Sequence, residues 1–128
     1  MIVRTKFFGE IEVQPKDIIE FAEGILGFPG YLKYILIHPE GDVPFSYLQS
    51  IEDIGTCFVV VQPIFILEDY EIDINSETVN KLHIQKPEDV EMYAILTIPE
   101  EAKRMTANLK APIVVNRVNN MEVQEILQ

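Results

Sequence analysis

A mostly β, single-domain antiparallel β-barrel-like fold with one short helix is what this sequence predicts, on three observations. About nine short runs rich in β-branched or aromatic residues follow one another along the chain. Gly, Pro and Asn turn signals punctuate them at regular intervals, and the alternating strand-helix rhythm of a parallel sheet is missing. The 128 residues suit one domain and can bury roughly two thirds of the unfolded surface without disulfides or metals.

Taken in order, Ile2, Arg4 and Lys6 alternate with Val3, Thr5 and Phe7, and Gly9-Glu10 turns into Ile11-Glu12-Val13, an opening hairpin. Pro15-Lys16-Asp17 breaks the run, and residues 18–21 resume it. The stretch Gly24-Ile25-Leu26-Gly27-Phe28-Pro29-Gly30-Tyr31 reads as a shaped loop. Pro29 biases Phe28 toward an extended backbone and fits a type II turn with Gly30, while Gly27 and Gly30 can take positive φ. A linker would be polar here, so Ile25, Leu26, Phe28 and Tyr31 are expected to anchor the loop on a core or to meet a partner.

Residues 32–38 form an apolar strand stopped by the turn composition of 39–44. Along 45–50, Phe45, Tyr47 and Gln49 share one face and Ser46, Leu48 and Ser50 the other, with the apolar content mostly on the first. Residues 56–62 are the most strand-like run and end at Pro63, with 64–67 as a continuation past a bulge. In residues 68–74, Asp69, Glu71 and Asp73 share a wet face and Tyr70, Ile72 and Ile74 a packed one. Asn75 or Ser76 caps a helix from 77 to about 84, with Val79 and Leu82 inward. Strands are expected at 90–98, 106–109, 113–118 and 122–127, the last two joined by an Asn119-Asn120 turn.

Charge is informative: ten basic against twenty-one acidic side chains give a net of −11, spread over both halves of the chain. That argues against direct nucleic-acid binding and fits either solubility or steering toward a basic partner. No apolar run is long enough to span a membrane, and the start of the chain lacks the pattern of a signal peptide. The lone Cys57 cannot form an internal disulfide, which agrees with a reducing cytoplasm; its apolar neighbours predict a buried, inert thiol.

Chemistry is harder to find. His38 and His83 have no metal-ligand spacing to each other or to Cys57, so neither a metal nor another cofactor is expected. No Gly-x-Ser-x-Gly, phosphate loop or EF-hand pattern occurs, and the chain is short for the cleft of a two-carboxylate glycosidase. Binding is favoured over catalysis, with a small-molecule-binding β-barrel as the alternative to a protein-binding module.

The stretch Gly24 to Tyr31, then Pro44-Phe45-Ser46-Tyr47-Leu48-Gln49-Ser50, then Glu68-Asp69-Tyr70, resemble in order and spacing the flagellar assembly factor FliW family. The run Thr106-Ala107-Asn108-Leu109-Lys110-Ala111-Pro112-Ile113-Val114-Val115-Asn116 looks like that family's T-x-N-L-x-A-P-I-x-x-N segment. The resemblance covers nearly the whole chain. It implies a β-barrel-like fold, no enzyme activity, and a monomer with two protein partners in the bacterial cytoplasm. One is flagellin, bound through its C-terminal region by a chaperone. The other is CsrA, a basic RNA-binding repressor of flagellin translation, which the free protein sequesters until flagellin displaces it.

Under that reading the expected partner-binding residues are Phe28, Tyr31, Tyr47, Asp69, Tyr70, Glu71 and Asp73. The acids would face basic CsrA, and the aromatics would take unpaired amphipathic flagellin. Phe45 and Leu48 are expected in the core, and Asn108 and Asn116 are expected to satisfy backbone groups around Ala111-Pro112.

Overall fold

The computed structural model describes residues 1–21, 24, 25, 27, 30–41, 43–65, 74, 76–97 and 106–124. Among these, the order is β1 (Ile2–Arg4), β2 (Glu10–Glu12), β3 (Ile18–Phe21), β4 (Lys33–Ile37), β5 (Phe45–Ser50), β6 (Cys57–Val61), α1 (Ser76–Leu82), β7 (Val90–Thr97), β8 (Thr106–Ala107), β9 (Ile113–Asn116) and β10 (Met121–Gln124). No helix among the described residues is long and apolar enough to cross a membrane.

Seven strands close into a barrel in the order β6-β5-β4-β3-β10-β9-β7, with β7 returning to β6 and the short β8 added to β7. A ring of strands can be antiparallel throughout only if their number is even. With seven, one neighbouring pair must run parallel, and it is β3 with β10, through Met121–Glu20 and Glu122–Phe21. The predicted barrel-like β fold with one helix stands, with its all-antiparallel character broken at this one seam.

Period-two alternation sorts each barrel strand into an inner and an outer row. Phe21, Tyr34, Leu48, Val60, Tyr93, Ile113 and Val115 fill the interior, joined by Ile25 from the 24–31 loop. Each such side chain contributes roughly 1.5–3 kcal/mol relative to exposure, an upper estimate because unfolded chains are partly collapsed. Two apolar stretches of the outer row are covered by elements laid over them. The β1–β2 hairpin lays Val3 and Val13 on Ile35, and α1 sets Leu82 against Val114 and Val123.

Several local expectations change. Residues 63–65 form a 3-10 turn instead of continuing the strand, because Pro63 has no amide to donate and Phe65 N–H turns back to Gln62 C=O at 3.0 Å. The helix ends at Leu82, with His83 in the left-handed region at φ 57°, and it buries Thr78 with Leu82 one turn on, leaving Val79 half-buried. Gly24 and Gly27, at φ 79° and 90°, take the positive backbone that the 24–31 loop needs, and Gly30 does not. The segment expected as a strand at 68–74 and the Phe28-Pro29 part of the loop lie outside the described residues. Cys57 is half-buried, not buried, since it stands on the outer row of β6; partial burial raises its thiol pKa.

Asn116 does not serve the Ala111-Pro112 break. Its amide donates to Leu82 C=O at 2.8 Å and to His83 C=O at 3.3 Å, satisfying orphan carbonyls at the end of α1 and tying the helix to the barrel. Asn108 stays local as expected, accepting Lys110 N–H at 3.3 Å.

Among the described residues one carboxyl is fully buried, and it lies on the inner row. Glu122, 0% exposed, points inward between β3 and β9, and neither oxygen has a hydrogen-bond partner; the Tyr34 hydroxyl is likewise unpartnered. Burial holds the Glu122 pKa well above the ordinary value, and Arg117 offsets this only in part because its guanidinium is already paired with Glu91 at 3.4 Å. Burial, with the field of Glu122 added, pushes the Tyr34 hydroxyl up to about 12.

Two outcomes follow. The folded protein retains a proton on Glu122 that the unfolded chain releases, so this group's contribution to stability is lost as pH rises from near 4.5 toward the raised value. Denaturant melts at about pH 5 and pH 8 should therefore show a drop for the native chain that is smaller for Glu122→Gln. An unchanged drop would refute a native-state proton on Glu122. Asn116→Ala should cost about 1–3 kcal/mol by removing the donor to His83 C=O and leaving Leu82 C=O to Asn119 alone, read as a lower urea midpoint at unchanged m-value.

Candidate partner-binding surface

Of the seven residues singled out from sequence, the structure describes Tyr31 and Tyr47. Phe28, Asp69, Tyr70, Glu71 and Asp73 lie outside the described residues. Tyr31 and Tyr47 are not brought together. Tyr47 pairs with Ile37 at the end of β4, whereas Tyr31 precedes the start of that strand. Tyr31 also packs half-buried against the barrel interior, which makes it an anchor for the 24–31 loop. Leu48 is in the core as expected; Phe45 is not, because it stands with Tyr47 on the outer row of β5.

Tyr47 is the centre of an aromatic cluster. Phe8 meets it edge-on with ring centroids 5.1 Å apart, Phe7 is tilted against it at 5.6 Å and Phe45 lies at 6.0 Å. Phe7 is 56% exposed and Phe8 38%, so the hairpin brings two apolar rings to the β5 face and leaves them facing water. The Lys6 ammonium sits 5.3 Å above the Phe7 ring, a cation–π contact that holds one edge of the patch.

Gln49 sets this geometry. It shares the outer row with Phe45 and Tyr47 but is fully buried, accepting Lys6 N–H at 2.9 Å and donating to Ser50 C=O at 3.0 Å and Ile54 C=O at 3.1 Å. One side chain thus fastens the hairpin tip and the 51–56 turn to the same strand. Thr5 completes the tip: its hydroxyl donates to Gly9 C=O at 2.7 Å and accepts Phe8 N–H at 2.8 Å. Preorganised exposed aromatics over a buried polar clamp suit recognition of apolar side chains, since little conformational freedom remains to be lost.

Sequence reasoning missed Phe7 and Phe8. Their signal was two adjacent aromatics immediately before Gly9, at a hairpin tip where polar residues are usual. Inside the barrel, the gap bordered by Leu36, Leu48, Val60 and Glu122 is too small to admit a water molecule, so an enclosed ligand site of the kind a small-molecule barrel needs is not found there. Among the described residues no group of three or more His, Cys, Asp or Glu side chains could hold a metal ion.

The family model described as FliW protein matches residues 2–128. The chain is 44% identical over 128 residues to the flagellar assembly factor FliW of Alkaliphilus metalliredigens, covering 99% of this chain and 79% of that one. It is 42% identical to the flagellar assembly factor FliW of Ruminiclostridium cellulolyticum, over 99% of this chain and 86% of the relative. A crystal structure of the flagellar assembly factor FliW superposes with a TM-score of 0.93 at 38% identity, over 100% of this chain and 89% of that one.

The patch separates stability from surface chemistry. Phe7→Ser should change stability by no more than about 0.5 kcal/mol, whereas Tyr47→Ala, which removes all three ring contacts, should cost about 1–3 kcal/mol. Urea unfolding of the two variants checks this; equal losses would mean that Phe7 is structural.

Proposed function

The chain belongs to the FliW family of flagellar assembly factors, and from that premise we propose that it is a cytoplasmic, monomeric binding protein that chaperones flagellin and sequesters the translational repressor CsrA. It acts without cofactor, membrane or catalytic step. The observation that carries the flagellin half is the water-facing ring cluster around Tyr47, held rigid by Gln49 on a chain otherwise rich in charge. Unassembled flagellin termini are amphipathic and offer apolar side chains in need of such cover.

The CsrA half rests on charge. A net of −11 draws a basic RNA-binding protein by long-range attraction, and an acidic body docked beside its RNA site repels phosphate as well as blocking it. Asp69, Glu71 and Asp73 are the acids assigned to this contact, with Tyr70 beside them. Free protein would hold CsrA and permit flagellin translation; flagellin, accumulating, would claim the protein and release the repressor.

Calorimetric titration with CsrA and with a flagellin C-terminal peptide, alone and in competition, tests the reading. Binding of both with mutual displacement is the expected result, and binding of neither would overturn it. Neutralising Asp69, Glu71 and Asp73 together should weaken CsrA binding by about three- to tenfold, mainly through slower association, and flatten its salt dependence. Phe7→Ser should weaken flagellin binding by about tenfold and leave CsrA affinity unchanged.

A further inference from the structure

A second surface feature is independent of that reading. β3 pairs with β4 only as far as Ile18–Ile35, while β4 runs on, so Leu36 and Ile37 are paired with β5 alone. The chain leaves the sheet at Asp17, whose amide turns back to Gln14 C=O at 2.9 Å. Alternation along β4 then aims the Leu36 carbonyl into the gap, a partial strand edge open to an added strand.

That gap is a groove of about 580 Å³ between the hairpin on one side and the 117–120 turn on the other. Its floor is apolar, with Ile35 and Ile37, and Val118 stands 75% exposed on its wall. Its rim is basic. Lys16 and Arg117 line it, two of the ten Lys and Arg side chains in a chain of net charge −11, Arg117 also meeting Glu91 at 3.4 Å, with His38 beside them. The one acid among its lining residues, Asp17, is engaged by Gln14 N–H at 3.0 Å. Lys16 is tied to the 117–120 side through its backbone, as Asn120 donates to Lys16 C=O.

We propose that this groove binds an extended peptide segment of a partner protein in which acidic residues alternate with aliphatic ones. Alternation sends one set of side chains to Ile37 and Val118 and the other to Lys16 and Arg117, while the peptide backbone meets the β4 edge. The acidic surface elsewhere repels such a segment, which confines it to the groove.

The test is fluorescence anisotropy with a labelled six-residue peptide alternating valine and glutamate, neither of the partners named above. The native chain should bind it, should bind the valine–lysine counterpart at least about tenfold more weakly, and should lose about tenfold in affinity on Lys16→Glu with Arg117→Glu. Where Arg117→Glu fails to fold, because it also abandons Glu91, Lys16→Glu with Val118→Asp carries the same expectation. No binding, equal binding of the two peptides, or full binding by the charge-reversed variant would each overturn the proposal. Displacement of the peptide by octanoate at lower concentration than by unlabelled peptide would assign the groove to small amphipathic anions and overturn it as well.

Discussion

Closing a barrel with seven strands forces one parallel contact, and much of the molecule is arranged around that contact. The β3–β10 seam has only two residue pairs, where a long antiparallel ladder such as β5–β6 has five. Hydrogen bonds from outside the ladder reinforce it: Glu20 N–H reaches Asn120 C=O at 3.0 Å, and the Asn120 side chain reaches Lys16 C=O. Asn120 can do both because it holds φ at 56°, a conformation its short polar side chain tolerates better than most. The seam residue Glu122 is also the buried carboxyl without a partner, so one of the two shortest joints in the wall, β6–β7 being the other, carries the cost of an unsatisfied buried polar group. A buried polar group of that kind leaves the joint more easily opened than the ladders beside it.

The outer layers answer a second constraint. Apolar residues on both rows of a strand need cover on both sides, and the barrel alone covers one. The β1–β2 hairpin and α1 provide the rest, each too small to be stable by itself. Polar side chains fasten them to the barrel, Gln49 at the hairpin tip and Asn116 with Asn119 at the helix end, with Gln49 and Asn116 fully buried and bonded to backbone groups.

This explains what could be read from the sequence and what could not. The strands between 90 and 124 were legible because β-branched runs and the Asn119-Asn120 turn act locally. The outward orientation of Phe45 and Tyr47 was not, because alternation identifies two faces without saying which one turns inward. Ser46 and Ser50 are small enough to fit beside Leu48 in a crowded interior, and the aromatics gain their cover from a hairpin forty residues away in sequence. Odd-strand closure was illegible for the same reason: strand count is a property of the ring, and no residue records it. Tyr31, expected at a partner surface because a tyrosine can pack while its hydroxyl stays wet, is half-buried against the barrel through tertiary packing that no local pattern records.

The two surfaces on the outer row are neighbours. Tyr47, at the centre of the aromatic cluster, sits directly across from Ile37, on the floor of the basic groove. One element borders both, since the β1–β2 hairpin carries Phe7 and Phe8 to the cluster and Ile11 and Val13 to the groove. It is held to the barrel by the packing of Val3 and Val13 on Ile35 and by the Gln49 clamp, and like α1 it lies outside the closed ring. An occupant that displaced it on one side would alter the other surface, and thermodynamic linkage would make the effect equal in both directions. Occupants of the rings and of the groove would then be coupled through a hairpin, with no need for the barrel itself to change shape.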